Sequence, residues 1–461
     1  MFQTIVNAWK IADIRKKILY TALIVLIFRI GSAIPVPFTA IASTGLIGAN
    51  EAGTFMNYLT MMTGDAFNYG TIFAMSITPY INSSIIMQLL AVAIPALERL
   101  SQEGEEGRKK IASITRFVTI VLGILQSTAY FFYLRSKRYI TLDYTTNPNG
   151  DLFKGFQGVF QALVIILCLT AGTALIMWLG ERINDNGIGN GISIILFAGI
   201  VSRIPTLLMN LYSLNPQIGY MGRGGAYYFL SPFVGVIALL MIAFIVWMDN
   251  AERRIPIQYA KRVVGRKMYG GQNTHMPIKV NMSGVMPVIF ASSILSLPPT
   301  IQMFISSSKI EKSPFWKGFF NLFTSTHWAY AIIYFVFIIA FAYFYASIQY
   351  NPVEMSKNIR ENGGSIPGIR PGEPTARYIG KIIGRITLLG ALLLSVVALF
   401  PIVFSQVTTA ILHAIDETKY ASGMNISLGG TSIIILVGVA LETVKQLESQ
   451  MMMRHYKGFL D

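Results

Sequence analysis

The segment Gly187-Ile-Gly-Asn-Gly-Ile-Ser193 opens an apolar run that extends to about residue 204. A second run, over about residues 428–444, opens with a similar group of small residues, Gly429-Gly-Thr-Ser432. Glycine frees backbone groups that hydrocarbon cannot satisfy, so we expect both helices to face a polar or water-filled interior. Close packing of helices through small residues explains either run equally well when it is taken alone.

Ten apolar runs of about twenty residues divide the chain, and each is long enough as a helix to cross a hydrocarbon layer of roughly 30 Å. Charged residues make up only 13% of the 461 positions and hydrophobic residues 53%. Soluble domains carry about a quarter charged residues and disordered chains are far less apolar, so both classes are excluded. The sequence predicts an all-α polytopic membrane protein with ten transmembrane helices, at about residues 18–38, 72–94, 114–134, 160–179, 188–204, 228–248, 285–305, 329–348, 382–404 and 428–444.

Corresponding runs in the two sets of five share unusual residues. The second run carries Pro79 among polar side chains, and the seventh carries Pro287 and Ser292. Together with the glycine-rich fifth and tenth runs, these matched features favour a polar pathway. Because five is odd, the second set must cross in the opposite sense, which predicts two inverted five-helix halves. The halves are residues 18–204 and 228–444, joined by an external hinge loop over residues 205–227.

The distribution of Lys and Arg orients the chain. With the N-terminus inside, the inner segments hold 26 basic residues and the outer loops hold 10, which predicts that both termini are cytoplasmic. Arg29 lies within the first run, where we expect it to snorkel or to hold a backbone carbonyl. Residues 1–17 are predicted to form a helix on the inner membrane surface, and residues 445–461 a cytoplasmic tail.

Residue types that perform chemistry are missing from the runs. Every Asp and Glu lies in a loop or at the end of a run, whereas a proton- or sodium-coupled transporter generally needs a carboxylate near mid-span. The four histidines are scattered, Cys168 is the only cysteine, and no nucleotide-binding phosphate loop occurs in the sequence. The sequence therefore predicts no enzyme, no catalytic residue, no metal site, no cofactor and no direct nucleotide binding.

Two inner loops, residues 251–282 and 350–380, are larger than a connection requires. The first carries seven basic residues around Gly270-Gly271 and is expected to form a hairpin that projects into the cytoplasm. In the second, prolines and glycines fix a loop around isolated arginines. Topology-setting charge and contacts with anionic lipids generally explain such clusters. Proline-stiffened loops are unnecessary for topology, so docking of a partner stands as a separate hypothesis.

A set of short strings spreads along the chain from the first run to the tenth. Its members are Phe28-Arg-Ile-Gly-Ser32 with Ile34-Pro-Val-Pro37, Pro79-Tyr-Ile81, Glu103-Gly-Glu-Glu-Gly-Arg108, Gly187-Ile-Gly-Asn-Gly-Ile-Ser193, Tyr259-Ala-Lys-Arg262, Pro367-Gly-Ile-Arg-Pro-Gly-Glu373 and Gly429-Gly-Thr-Ser432. In this order they resemble the SecY family of bacterial protein-conducting channels. The resemblance implies a clamshell of two five-helix halves around an hourglass pore. Such a pore translocates unfolded secretory polypeptides across the plasma membrane and releases membrane-protein segments sideways into lipid.

The resemblance also implies a pore ring, a constriction of apolar side chains from both halves. A ring of branched apolar side chains excludes water and ions by dewetting, yet it offers a passing polypeptide no hydrogen bonds strong enough to trap it. Two pairs of its members have the i,i+4 spacing of one helix face, although such pairs also arise in ordinary packing. By position within the motifs, the ring consists of Ile77, Ile81, Ile192, Leu196, Ile289 and Ile435.

Two further parts of the channel follow from the resemblance. Residues 54–68 correspond to a plug beneath the outer side of the ring, with candidate residues Thr54, Met56, Leu59, Met62, Gly64 and Asn68. The residues alone leave open whether this stretch re-enters the membrane or caps its outer surface. The second and seventh runs correspond to the edges of a lateral gate, and the candidates for polar contacts that hold it shut are Ser83, Gln88, Gln126 and Ser292.

The implied partners are the SecA ATPase and the ribosome at the inner loops, SecE and SecG within the membrane, and precursor polypeptides that bear a signal sequence. Candidate docking residues are Arg254, Lys261, Arg262, Arg266, Lys267, Arg370 and Arg377. A secondary transporter for a small solute is the alternative, because inverted repeats alone permit it equally well. A membrane scaffold without a conduit leaves the polar runs unexplained.

Overall fold

A computed structural model describes residues 2–39, 60, 63–136, 139–140, 156–213, 226–259, 262–264, 267–269, 273–302, 313–323, 327–415 and 430–457. These residues are mostly helical, as the apolar runs predict. The helices of the first half are α1 (Phe2–Lys10), α2 (Ala12–Gly31), α3 (Thr78–Ala93), α4 (Pro95–Gln102), α5 (Glu105–Ser136), α6 (Phe156–Asn186), α7 (Gly191–Val201) and α8 (Ile204–Ser213).

The second half combines helices with short strands. Its helices are α9 (Ala226–Asn250), α10 (Met286–Leu295), α11 (Leu297–Gln302), α12 (Pro314–Leu322), α13 (Trp328–Gln349), α14 (Pro352–Glu361), α15 (Glu373–Ile415) and α16 (Gly430–Lys457). Its strands are β1 (Glu252–Tyr259), β2 (Arg262–Val264), β3 (Lys267–Tyr269), β4 (Asn273–Lys279) and β5 (Gly364–Ser365). Both inner loops thus contain strands, which the helical runs could not indicate.

Among the described residues, six helices are long and apolar enough to cross a membrane, and a bent pair adds a seventh. The six correspond to the predicted third, fourth, sixth, eighth, ninth and tenth crossings. The fifth and seventh crossings are the shorter apolar helix α7 and the pair α10 and α11. The first is α2, which begins at Ala12 rather than at residue 18, so the separate N-terminal helix is only the nine residues of α1. α16 continues to Lys457, beyond the predicted start of the tail.

Prolines account for the two broken crossings. The chain turns by 105° between α3 and α4 because Pro95 begins a new helix and holds Ile94 in an extended conformation. α10 ends at Leu295 because Pro298 and Pro299 cannot donate the backbone hydrogen bonds that would continue it. α3 and the α10–α11 pair are therefore short helices that face each other across the two halves.

The two halves meet along two lines of contact. α3 and α5 of the first half contact α10 and α11 of the second, and we call this line the gate seam. α7 contacts α16 on the other line, which we call the rear seam. A single hydrophobic cluster contains buried side chains of both halves and joins the two seams.

The two large loops form one packed unit at one end of the helix bundle. β4, β1 and β5 form a three-stranded sheet in that order, and both pairings are antiparallel. The hairpin of β1 and β4 confirms the shape expected from the first loop. β5 belongs to the second loop, so the sheet joins segments about 100 residues apart. Buried isoleucines from both loops and from α15, among them Ile257, Ile359 and Ile379, pack beneath it.

Candidate functional site

The structure brings the six residues of the predicted pore ring into one hydrophobic cluster. Five of them are buried, and Ile192 is partly buried and packs against the others. Ile77 and Ile81 lie at the start of α3, Ile192 and Leu196 on α7, Ile289 on α10 and Ile435 on α16. Four helices from both halves, two at each seam, therefore supply this cluster.

The sequence of residues 187–193 places Ile192 and Leu196. The side chain of Asn190 caps α7 and accepts a hydrogen bond from the backbone N–H of Ile192, at 3.1 Å. A Cβ atom at Gly191 would overlap the carbonyl oxygen of Gly180 on α6, so this position requires glycine for close helix packing. The packing explanation therefore applies to Gly191, while the first turn of α7 also borders a large cavity.

A cavity of about 1270 Å³ lies directly against the ring, and we call it the vestibule. Its apolar lining includes Leu196, Ile289 and Ile435. Its polar lining includes Asn190 and Ser193 of the first half, and Lys279 shows that it lies at the same end of the bundle as the β-hairpin. The cavity is thus lined by polar and apolar side chains of both halves, and part of the ring forms some of its apolar wall.

Charged groups from three segments meet on the wall of the vestibule. Asp249 at the end of α9 accepts hydrogen bonds from Asn281 Nδ2, at 3.3 Å, and from Lys445 Nζ of α16, at 3.5 Å. Partial burial and the neighbouring Lys445 ammonium lower the pKa of Lys279 below its usual value. We call Asp249, Lys279, Asn281 and Lys445 the rim cluster. It ties the base of the β-hairpin to the helix that carries Ile435.

At the other end of α7, two arginines hold the turn that precedes α3. Arg29 donates to the carbonyl oxygen of Gly64 at 3.1 Å, as expected for an arginine inside the first crossing. Arg203 Nε lies 3.3 Å from Asp65 Oδ2, and both side chains are largely buried. Gly64 has φ +64° and packs against the backbone of Gly199, so a side chain there would be strained and would clash. We call Arg29, Gly64, Asp65 and Arg203 the neck anchor.

The predicted plug is described only in part. Thr54, Met56, Leu59 and Met62 lie outside the described residues. Gly64 belongs to the neck anchor, and Asn68 is half-buried in the segment that follows. Next to Asn68, the Phe67 carbonyl oxygen accepts a hydrogen bond from the Tyr130 hydroxyl at 2.7 Å.

The predicted gate residues fall into different environments. Ser83 is fully buried, and its hydroxyl lies 2.5 Å from that of Thr119 on α5, so this bond joins two helices of the same half. Gln126 is half-buried on α5, about 10 Å along the axis from Thr119. Ser292 is buried on α10 and donates to the Ile289 carbonyl of its own helix. Gln88 bonds across the halves, where its side-chain oxygen accepts from the Tyr345 hydroxyl of α13 at 2.6 Å.

Three of the predicted docking residues, Arg254, Arg370 and Arg377, lie on the packed unit of the two loops. Arg254 is exposed on β1, Arg370 is exposed in the loop after β5, and Arg377 is exposed and paired with Glu373 in the first turn of α15. Arg262 and Lys267 lie on the short β2–β3 ribbon, whereas Lys261 and Arg266 lie outside the described residues. Arg254 and Arg370 thus belong to one sheet-centred surface.

Sequence reasoning missed the partners that complete these clusters. Asp65 and Arg203 are 138 positions apart, and Gln88 and Tyr345 are 257 apart, so no local pattern connects them. Tyr345 lies in an aromatic run of α13, where tyrosine looks like an ordinary lipid-facing residue. Only the arrangement of the helices reveals these pairs.

Comparison with known proteins agrees with this architecture. The family model described as SecY matches residues 71–444. The protein translocase subunit SecY of Streptomyces galbus is 40% identical over 465 residues, and that of Mycobacterium bovis is 39% identical over 474; each alignment covers both chains completely.

Solved structures show the same fold at low sequence identity. One described as a protein-conducting channel has a TM-score of 0.57 at 16% identity and covers 94% of this chain and 92% of its own. A yeast Ssh1 complex bound to the 80S ribosome has a TM-score of 0.59 at 15% identity, with coverage of 94% and 89%. From the family match and these full-length relatives, the chain belongs to the SecY family of channel-forming protein translocase subunits.

Proposed function

We propose that the chain forms the gated pore through which unfolded secretory polypeptides cross the bacterial plasma membrane and from which membrane-protein segments leave sideways into lipid. The observation that carries this proposal is the convergence of six apolar side chains from both halves in one cluster, three of which line the vestibule. Membership in the SecY family supports the same function and favours it over transport of a small solute.

The ring acts as the seal of the pore. Its side chains cannot hydrogen-bond to water or hydrate an ion, so a closed ring stays dry. An extended polypeptide that passes through it meets no polar group that would hold it. The chain itself performs no chemistry, and the energy for movement comes from a partner.

The plug of residues 54–68 closes the pore on the side opposite the vestibule. The neck anchor supports this assignment, because it fixes the C-terminal end of the plug segment between α2 and the end of α7. The plug therefore has one end held in place while the ring is closed.

Lateral release occurs at the gate seam. A signal sequence is an apolar helix, and it opens the seam only if it binds the open state more tightly than the closed state. Ser83, Gln88, Gln126 and Ser292 are the candidates for polar contacts that favour the closed state, and the bond of Gln88 is one that a parted seam would have to replace.

Partners dock on the surface that carries Arg254 and Arg370, which faces the cytoplasm together with both termini. The excess of basic residues in the inner segments supports this orientation. The ribosome bound to the yeast Ssh1 complex supports ribosome docking, and SecA uses the same surface in turn. Contacts with ribosomal RNA phosphates are salt-sensitive. SecE and SecG brace the helices, and anionic lipids contact the remaining basic residues.

Reconstitution tests the conduit directly. Proteoliposomes that contain the chain with SecE should translocate a signal-bearing precursor when SecA and ATP are added. Protease protection of the precursor measures this. Absence of translocation in a well-folded sample that binds SecA would contradict the proposal.

Docking is tested by Arg370→Glu, with Lys357→Glu, at an exposed position of α14 in the same loop, as the matched control. We expect Arg370→Glu to reduce SecA-driven translocation several-fold while the protein still accumulates in the membrane. Lys357→Glu should leave translocation unchanged. Loss of the Arg370→Glu protein from the membrane would indicate a structural role for Arg370 instead.

A further inference from the structure

The side chain of Tyr345 on α13 forms a hydrogen bond across the gate seam. The Tyr345 hydroxyl of α13 donates to Gln88 Oε1 of α3 at 2.6 Å, and the two helices belong to different halves. α13 is not a helix of the gate seam itself. Tyr345 therefore links the gate helix of the first half to a helix that stands behind the gate helix of the second.

Both partners are held in position by their neighbours. The Nε2 group of Gln88 donates to Ser84 Oγ at 3.3 Å, which orients the amide so that its oxygen faces Tyr345. The ring of Tyr345 packs edge-on against Phe290 of α10, with 4.9 Å between ring centroids. Phe290 is buried, so Tyr345 contacts α10 through its ring and α3 through its hydroxyl.

This geometry cannot survive insertion of a helix between α3 and α10. Packed helices lie about 8–10 Å apart, so a helix that enters the seam moves α3 away from α10 by several ångströms. A hydrogen bond is lost beyond about 3.5 Å. The bond between Tyr345 and Gln88 therefore exists only while the seam is closed, and it adds to the free energy that an entering helix must supply.

We propose that the Tyr345–Gln88 hydrogen bond is a latch that sets how apolar an entering polypeptide helix must be to part the gate seam. Tyr345 is a positioning residue, since it acts through Gln88 and α10. The inference rests on the proposed channel function and adds to it the residue that tunes signal selection. A single hydrogen bond shifts an equilibrium by roughly 2- to 10-fold.

Tyr345→Phe is the sharpest test, because it keeps the ring against Phe290 and removes only the hydroxyl. The measurement is SecA- and ATP-driven translocation in proteoliposomes of two precursors, one with an intact signal and one with a signal of reduced apolarity. We expect the ratio of weak-signal to intact-signal translocation to rise several-fold. A purely structural role would change both precursors together and leave the ratio fixed.

The chain offers a control two residues away. Tyr343 also lies on α13, and its hydroxyl donates to the Gly384 carbonyl of α15 within the same half, at 3.2 Å. Tyr343→Phe likewise removes one tyrosine hydroxyl bond, which is more exposed and does not cross the seam. The ratio should stay at the wild-type value in this variant.

Gln88→Leu provides a second route to the same result and covers the case in which Tyr345→Phe folds poorly. It should raise the ratio to a similar extent. The ratio in the double variant should be no higher than in either single variant, because the same Tyr345–Gln88 bond is lost in all three. An unchanged ratio in both single variants, or full additivity in the double variant, would overturn the latch. Failure of the unaltered chain to translocate the intact-signal precursor would instead overturn the proposed channel.

Discussion

Two ion pairs of the same type lie near opposite ends of α7, in different surroundings, although neither pair includes a residue of α7 itself. In the neck anchor, Arg203 is 13% exposed beside Asp65, whereas in the rim cluster Lys445 is 39% exposed beside Asp249. The carboxylates themselves are similarly buried, at 21% and 18%. The difference lies in the cation that would remain if the acid were removed. The energetic weight of an ion pair therefore depends on whether its surviving member can be hydrated.

The largest effect is expected at the neck anchor. Asp65→Asn leaves the permanently charged guanidinium of Arg203 buried without its counter-charge. We expect a loss of about 3 kcal/mol in stability, because breaking a buried pair leaves the remaining charge desolvated without a partner. Thermal unfolding in nanodiscs, followed by circular dichroism, measures the loss.

A double variant sharpens this test. In Asp65→Ala/Arg203→Leu no charge is left behind, so most of the lost stability should return. If the double variant is no more stable than Asp65→Asn, the cost arises from packing of the turn rather than from an unpaired arginine.

An intermediate effect is expected at the ring, which lies between the two ends. Ile435→Asn places an amide next to the vestibule at a position that is 1% exposed. It should cost about 1–3 kcal/mol and hydrate the constriction, with increased ion conductance in planar bilayers and a relaxed demand for a strong signal sequence.

Ile434→Asn is the matched control for this leak. Ile434 is equally buried in the same cluster but does not line the vestibule. It should lose comparable stability while ion conductance stays low. Equal conductance in the two variants would remove the distinction between the ring and the surrounding core.

The smallest effect is expected at the rim cluster. Asp249→Asn leaves Lys445 and the neighbouring Lys279 facing the water of the vestibule, where both can be hydrated, so the loss should be about 0.5–1 kcal/mol. Because exposed charges are screened, it should shrink further at high salt, whereas the loss in Asp65→Asn should not. If Asp249→Asn instead lost several kcal/mol of stability independently of salt, the ion pairs of the rim cluster and the neck anchor would have the same energetic weight.

The crossings could be predicted because each depends on local composition. The apolar runs place ten helices, and Pro95, Pro298 and Pro299 mark where two of them break. The strands were harder to predict from the sequence, since β5 is two residues long and is stabilised by β1 from another loop. Local sequence cannot report a pairing between distant segments.

Some residues of the candidate site could likewise be predicted from the sequence, and others could not. The ring residues came from motif position, and spacing alone could not separate them from ordinary packing. Arg29 was predictable, because an arginine inside a crossing must find a carbonyl or the interface. Arg203 and Tyr345 were not, since each acquires its role only from a residue that the fold brings beside it.

The pairing of β5 with β1 couples the two large loops mechanically, so that they move as one unit. A force applied to either loop is shared between the end of α9, where β1 begins, and the start of α15, beyond β5. A chimera that takes only one of the two loops from a relative therefore disrupts the pairing of β1 with β5. A chimera that takes both loops together preserves this pairing.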